Sequence, residues 1–195
     1  MSYSSNTFYV SPTRIKRDTP LGSAVDSDLI YPHLRLAQFK EILPVLGTDL
    51  DNKIKSLIDA DTIGDAANAA YKTLLDDYIA PALIQFTFVY VAPALRLRFS
   101  NNSVSVVTSE QGQTASQSDM KPVIDSARQM AEFYREQLVQ YILHNKSDYP
   151  EYNTNTGADL HPTSRAYFEN LNVDRPYRSK REESILGAIG ATKLL

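Results

Sequence analysis

Between Pro81 and Pro93 the chain reads "ALIQFTFVYVA", eleven residues in which only Gln85 and Thr87 interrupt a continuous apolar run. A segment with no polar face cannot lie on a surface, so any fold of this chain has to wrap around it. Its aromatic and β-branched content suits a buried strand as well as a buried helix, and periodicity does not separate the two. The helical neighbourhood favours a kinked, fully buried helix over 82–92, with the strand as the open alternative.

A chain of 195 residues, 43% hydrophobic and 22% charged, can supply one such core, since domains usually span roughly 100 to 200 residues. Twenty basic against 23 acidic residues leave a net charge of −3, without the basic footprint of a protein that grips nucleic acid. Proteins are therefore the expected partners. The absence of cysteine excludes disulfides, thiol nucleophiles and thiolate metal sites. The N-terminus lacks the apolar core of a signal peptide, and no uninterrupted apolar run reaches the roughly 18 residues of a membrane span. A location in the cytoplasm, or in an assembly built there, is expected, with no membrane contact.

Helical spacing accounts for the residues around the central run. Asp26, Ser27 and Asp28 offer caps and Pro32 a first-turn residue, and Leu36, Phe39, Leu43 and Leu46 recur at three- and four-residue steps until Gly47. Pro44 inside this run predicts an early stop or a kink. Thr48 can cap a short helix bearing Leu50, Ile54, Leu57 and Ile58 on one stripe. A third helix is expected from about Asp65, with Ala67, Ala70, Tyr71, Leu74, Leu75 and Tyr78 on one face. The longest begins after Asp119 with Pro122 in its first turn. It carries Val123, Ile124, Ala127, Met130, Ala131, Tyr134, Leu138, Tyr141 and Ile142 inward, and stops before Pro150.

The remaining chain reads differently. Residues 1–26 and 150–195 are rich in Ser, Thr, Asn and Pro with scattered aromatics, as expected of extended arms flanking a helical domain at 27–149. Phe8, Tyr9, Tyr177, Ile185 and Ile189 are the apolar anchors such arms would offer to partner proteins. The basic groups Arg14, Lys16 and Arg17, and Arg175, Arg178, Lys180 and Arg181, could meet acidic protein surface, DNA phosphates or only solvent. Between the last two helices, Phe99, Val104, Val106 and Val107 surround the turn signal Ser100-Asn101-Asn102-Ser103, which fits a short β-hairpin at about 99–109. A hairpin so short is marginal alone, so its strands are expected to meet a neighbouring subunit. The predicted fold is thus mainly α: a compact bundle with a long helical hairpin carrying a β-hairpin insertion, plus two arms.

No motif announces chemistry. His33, His144 and His161 lack the spacing of a helical zinc site, so no metal or other cofactor is expected. "GAIGATK" at 187–193 has the wrong spacing for a phosphate loop and no following helix. Ser109, Ser116 and Ser118 lack a glycine-flanked elbow and a nearby histidine. Asp49, Asp51, Asp59, Asp61 and Asp65 cluster near expected helix starts, where capping explains them better than acid–base work or calcium binding.

Three stretches carry a family resemblance: "PHLRLAQFKEILPVLGTDL", "RFSNNSVSVVTSEQGQ", and "MAEFYREQLVQYILHN" followed by "YPEYN". Over about 26–153 the chain resembles head–tail connector proteins of tailed bacteriophages, most nearly the adaptor or ring proteins of crAss-like phages. The resemblance implies a non-enzymatic virion protein assembled in the bacterial host. It implies a homo-oligomeric ring, usually of about twelve copies, that contacts the portal protein and neighbouring neck or tail rings. Such a ring continues the DNA channel, through which DNA passes transiently and without sequence preference. Phe99, Val104, Val106 and Val107 would then be lumenal or intersubunit contacts. The competing expectation is a small helical scaffold or regulator that binds a host or phage protein through its arms.

Overall fold

The computed structural model describes residues 7–95, 97–100, 103–106, 117–154 and 160–162. The apolar run lies within a helix, α6 (Ala80–Leu95), and ten of its residues are buried. With no polar face to turn outward, α6 sits at the centre, and the other elements pack around it. Thr87, fully buried, satisfies its hydroxyl by donating to the Leu83 carbonyl one turn back, at 2.7 Å. Together with the turns that precede it, this helix runs from Ala66 to Leu95, long and apolar enough to cross a membrane by length and composition. That property was not expected from the sequence, because polar residues interrupt the apolar run. In the fold most of the apolar window is buried inside the protein.

Prolines are accommodated by local widening of the helices. A π-helical turn at Leu74–Ile79 precedes Pro81, and another at Gln38–Ile42 precedes Pro44. A proline ring presses on the carbonyl four residues back, which is Asp77 in one case and Lys40 in the other. Both carbonyls lie inside the π turns, where the ladder is already re-spaced. Of the stop or kink expected at Pro44, the stop is absent: α2 (Ser27–Ala37) passes through the π turn into α3 (Leu43–Leu46), which ends at Gly47.

Gly47 has φ 75° and ψ 165°, a conformation essentially confined to glycine, and turns the chain into α4 (Thr48–Asp59). Thr48 is the first helical residue and not the expected cap. Its hydroxyl instead accepts from the Leu160 N–H at 3.1 Å, while its own N–H donates to the Leu160 carbonyl at 3.1 Å. A 3-10 turn (Ala66–Asn68) and α5 (Ala69–Thr73) lead into the π turn before α6. Helix α7 (Gln117–His144) then packs along α6. Between them the backbone of β1 (Leu97–Ser100) pairs antiparallel with β2 (Ser103–Val106), Leu97 opposite Val106 and Ser100 opposite Ser103.

The arm expected over 1–26 is corrected across its described part. Ser11 caps α1 (Pro12–Asp18) by accepting from the Arg14 N–H, and Tyr9, Val10, Ile15 and Leu21 enter the core. Tyr9, Val10, Ile15 and Leu21 are too few to suggest a domain element in sequence, yet each fills a gap between helices. At the other end, Tyr149 and Tyr152 are buried, so the domain does not stop at 149. Tyr149 donates to the Ala70 carbonyl at 3.0 Å, and Tyr71 donates to Glu151 at 2.7 Å. Tyr78 and Tyr141 stack at 3.8 Å beside them, fastening the end of α7 to the start of the central helix.

The capping expectation for the aspartates is also corrected in part. Asp26 caps α2 by accepting from the Asp28 N–H at 3.1 Å, and Asp49 and Asp51 lie in the first turn of α4. Asp59 closes that helix instead of opening one, and Asp61 follows it with φ 54°.

Candidate interaction surface

Two helices carry apolar residues on faces that the core does not use. In α2 the buried stripe is Ile30, Leu34 and Ala37. Leu29 and Leu36 lie on an exposed flank of the same helix, and Phe39 follows them in the π turn. In α7 the buried stripe is Ala127, Ala131, Leu138 and Ile142. Val123, Met130 and Phe133 lie beside it on the outer flank. All six outer residues keep between 44% and 55% of their surface exposed. The sequence pattern had assigned Leu36, Phe39, Val123 and Met130 to buried faces, and that assignment is corrected. Leu29 and Phe133 had not been singled out at all. One signal was available: α2 holds more large apolar residues than a single stripe of about 100° can accommodate.

The α7 stripe lies on the flank away from the π turn at Gln38–Ile42. Arg135 on α7 bonds Glu41 of the π turn at 2.9 Å, and the Tyr90 hydroxyl of α6 donates to the same carboxylate. That ion pair turns one flank of α7 toward the α2 end of the molecule. Met130 is five residues from Arg135, roughly 140° around the helix at 3.6 residues per turn, so its stripe lies on the far flank. Lys40, beside the α2 stripe, is bonded within the chain to the Tyr90 hydroxyl at 2.9 Å and paired with the Glu41 carboxylate at 3.6 Å.

The proposed partner anchors fall into three groups. Tyr9 is corrected: it is buried in its own chain, and its hydroxyl donates to the Asp51 carboxylate. Asp51 also pairs with the buried Lys55 ammonium at 2.6 Å. Burial, and then the facing carboxylate, push the Tyr9 phenol well above its ordinary pKa. Gln38 completes this clasp from the π turn, accepting from the Tyr9 N–H at 3.2 Å and donating to the Thr7 carbonyl at 3.0 Å. Phe8 is half-buried against Tyr31 of its own chain, 5.4 Å between ring centroids, with the Arg35 guanidinium 6.0 Å from its ring. Tyr177, Ile185 and Ile189 lie outside the described residues.

The basic groups divide similarly. Arg14 pairs with Asp76 at 3.3 Å and Asp18 at 3.6 Å, Arg17 with Asp18 at 2.7 Å, and Lys16 donates to the Ser27 hydroxyl at 3.1 Å. The Arg17 hydrogen bond comes first among the causes that hold the Asp18 carboxyl below its usual value. These three cations are thus engaged within the chain. Arg175, Arg178, Lys180 and Arg181 lie outside the described residues, as does Val107. Phe99, Val104 and Val106 lie on the paired strands, Phe99 directly opposite Val104.

Among the described residues no group of three His, Asp or Glu side chains is placed to hold a metal ion. Of the histidines, His33 has its pKa lowered by partial burial.

Fold and surface together define a mainly helical protein built on one core, with two outward apolar faces. The chain belongs to the family of unknown function DUF6712, which matches residues 42–161. That span opens at the last residue of the first π turn and closes beside Leu160, whose backbone is bonded to Thr48. No curated protein and no solved structure matches the chain.

Proposed function

We propose that this protein is a structural, non-enzymatic component of a bacteriophage neck, working as a ring of identical subunits between portal and tail. The observation that carries the reading is the pair of outward apolar stripes on α2 and α7. A monomer gains nothing from six large, half-exposed apolar side chains arranged in two lines, whereas a subunit in a ring needs two different adhesive faces. The resemblance of three sequence stretches to phage connector proteins supplies the setting. A ring with little net positive charge suits a channel wall, because phosphate neutralisation is what makes DNA stick.

In this reading Tyr177, Ile185 and Ile189, with Arg175, Arg178, Lys180 and Arg181, dock on the portal or adjoining neck rings. Phe99, Val104, Val106 and Val107 meet a neighbouring subunit or the lumen. Native mass measurement of the full chain, alone and mixed with a portal ring, tests the proposal. A multimer or a portal-bound ring is expected. A chain that stays monomeric and never binds the portal ends it.

A further inference from the structure

We infer that the N-terminal segment, residues 7–18, is a clip that holds both π turns and through them fastens α7, so that drawing the segment off the domain loosens α7. Each π turn carries one contact to this segment and one to α7. In the first, the Gln38 side chain accepts from the Tyr9 N–H and donates to the Thr7 carbonyl, while Glu41 accepts from Arg135 of α7 at 2.9 Å. In the second, Asp76 pairs with Arg14 of α1 at 3.3 Å, and Tyr78 stacks on Tyr141 of α7. The segment and α7 are thereby joined at two points, each time across a π turn.

A π turn is held open by its surroundings, since ordinary α spacing is the default for a helical chain. Ahead of Pro44 the Leu43 N–H donates to the Gln38 carbonyl, and ahead of Pro81 the Ala80 N–H donates to the Leu75 carbonyl, both five residues back. The next carbonyls, of Phe39 and Asp76, meet a proline where the five-residue pattern would continue, and proline has no N–H to give. Arg14 fills the second of these gaps: its guanidinium donates to the Asp76 carbonyl at 3.4 Å, beside its bond to the carboxylate of the same residue. The clip thus satisfies a backbone acceptor that the helix itself cannot. In the first turn, Gln38 accepts the five-residue bond through its backbone and holds Thr7 and Tyr9 through its side chain. Without the segment both turns lose these anchors and are free to re-space. A shift of one residue in register carries a side chain about 100° around a helix, enough to part Glu41 from Arg135 and Tyr78 from Tyr141.

Full-length Gln38→Leu and Arg14→Met each remove bonds to the clip while leaving α7 and its partners Glu41 and Tyr78 unaltered. Backbone amides of α7 between Arg135 and Tyr141 are expected to exchange hydrogen about tenfold faster in each variant, relative to amides around Ile54 of α4 in the same sample. The α4 amides report general loss of stability, so equal acceleration of both helices would overturn the inference. Protection of α7 unchanged from the parent would do the same. The two variants act on different π turns, so if one fails to fold the other decides. Linkage runs in both directions. Arg135→Met is therefore expected to speed exchange of the Leu43 amide, whose bond defines the first π turn, and of the Ile15 amide in α1. An Arg135→Met chain that protects both amides as well as the parent does would exclude the coupling. Gln38 and Arg135 hydrogen-bond to no common residue, so independent effects of Gln38→Leu and Arg135→Met on the unfolding equilibrium would simply multiply. A departure of about threefold or more is expected in the double variant, and plain multiplication would count against the clip.

Discussion

Pro162 rests directly on the Cα of Gly47: a Cβ added at Gly47 would lie 2.8 Å from both Cγ and Cδ of the proline ring. The contact couples the turn between α3 and α4 to a stretch of chain more than 100 residues later in sequence, as the neighbouring Thr48–Leu160 hydrogen bonds also do.

Gly47→Ala is therefore expected to act twice, through backbone strain at a positive φ and through displacement of Pro162. The strain alone is about 1 to 3 kcal/mol. Chemical denaturation should show a lower midpoint, and backbone exchange should accelerate at Leu160. A variant as stable as the parent would mean that the turn relaxes without cost.

Asp51 holds two buried partners, so its loss should exceed that of an ordinary surface carboxylate. Asp51→Ala leaves the Lys55 ammonium buried without its counter-ion, a change worth about 3 to 5 kcal/mol. Tyr9→Phe removes only a hydroxyl bonded to a charged group, about 1.5 to 3 kcal/mol. Equilibrium unfolding of the two variants should rank them in that order, and the reverse order would contradict the clasp.

Alkaline pH should unfold the protein, because Tyr9, Tyr71 and Tyr149 all have phenols pushed above their ordinary value, in each case chiefly by burial. Below about pH 10 the phenols are protonated in both folded and unfolded chains, and this stabilisation is fully present. Above it the unfolded chain ionises while the folded one does not, so the stability of the fold falls as pH rises. Urea midpoints should decline between about pH 9 and pH 11, less steeply in Tyr9→Phe. A midpoint that stays level across that interval would show that the phenols ionise freely in the fold.

Deleting residues 174–195 removes no residue of the described core. The truncated chain should keep its helical circular dichroism while losing portal binding or particle yield. Loss of helicity would mean that the tail belongs to the core.

Removing the outward apolar groups should improve behaviour as a monomer. Leu36→Ser with Met130→Ser is expected to leave thermal unfolding nearly unchanged, within about 1 kcal/mol, while shifting the sedimentation profile to smaller species. A multimer unaffected by both changes would place the adhesive surface elsewhere.

Much of the helical plan was legible without coordinates. The inward spacing of Leu50, Ile54 and Leu57, and of Ala127, Ala131, Leu138 and Ile142, is a local consequence of helix geometry, and the structure buries all seven. Pro44 did not stop its helix, because a helix can re-space its carbonyls through a π turn and continue past a proline, whereas α7 does end before Pro150.

What the chain alone determined is the existence of one apolar centre, since the run from Ala82 to Ala92 has no face that water could wet. The tertiary structure decided which of two apolar faces on α2 and α7 turns inward, and that Tyr9 and Ile15 belong to the core. Periodicity states only that a helix has an apolar face. The choice between faces depends on the volume left beside α6, a quantity set by residues distant in sequence and absent from any local pattern.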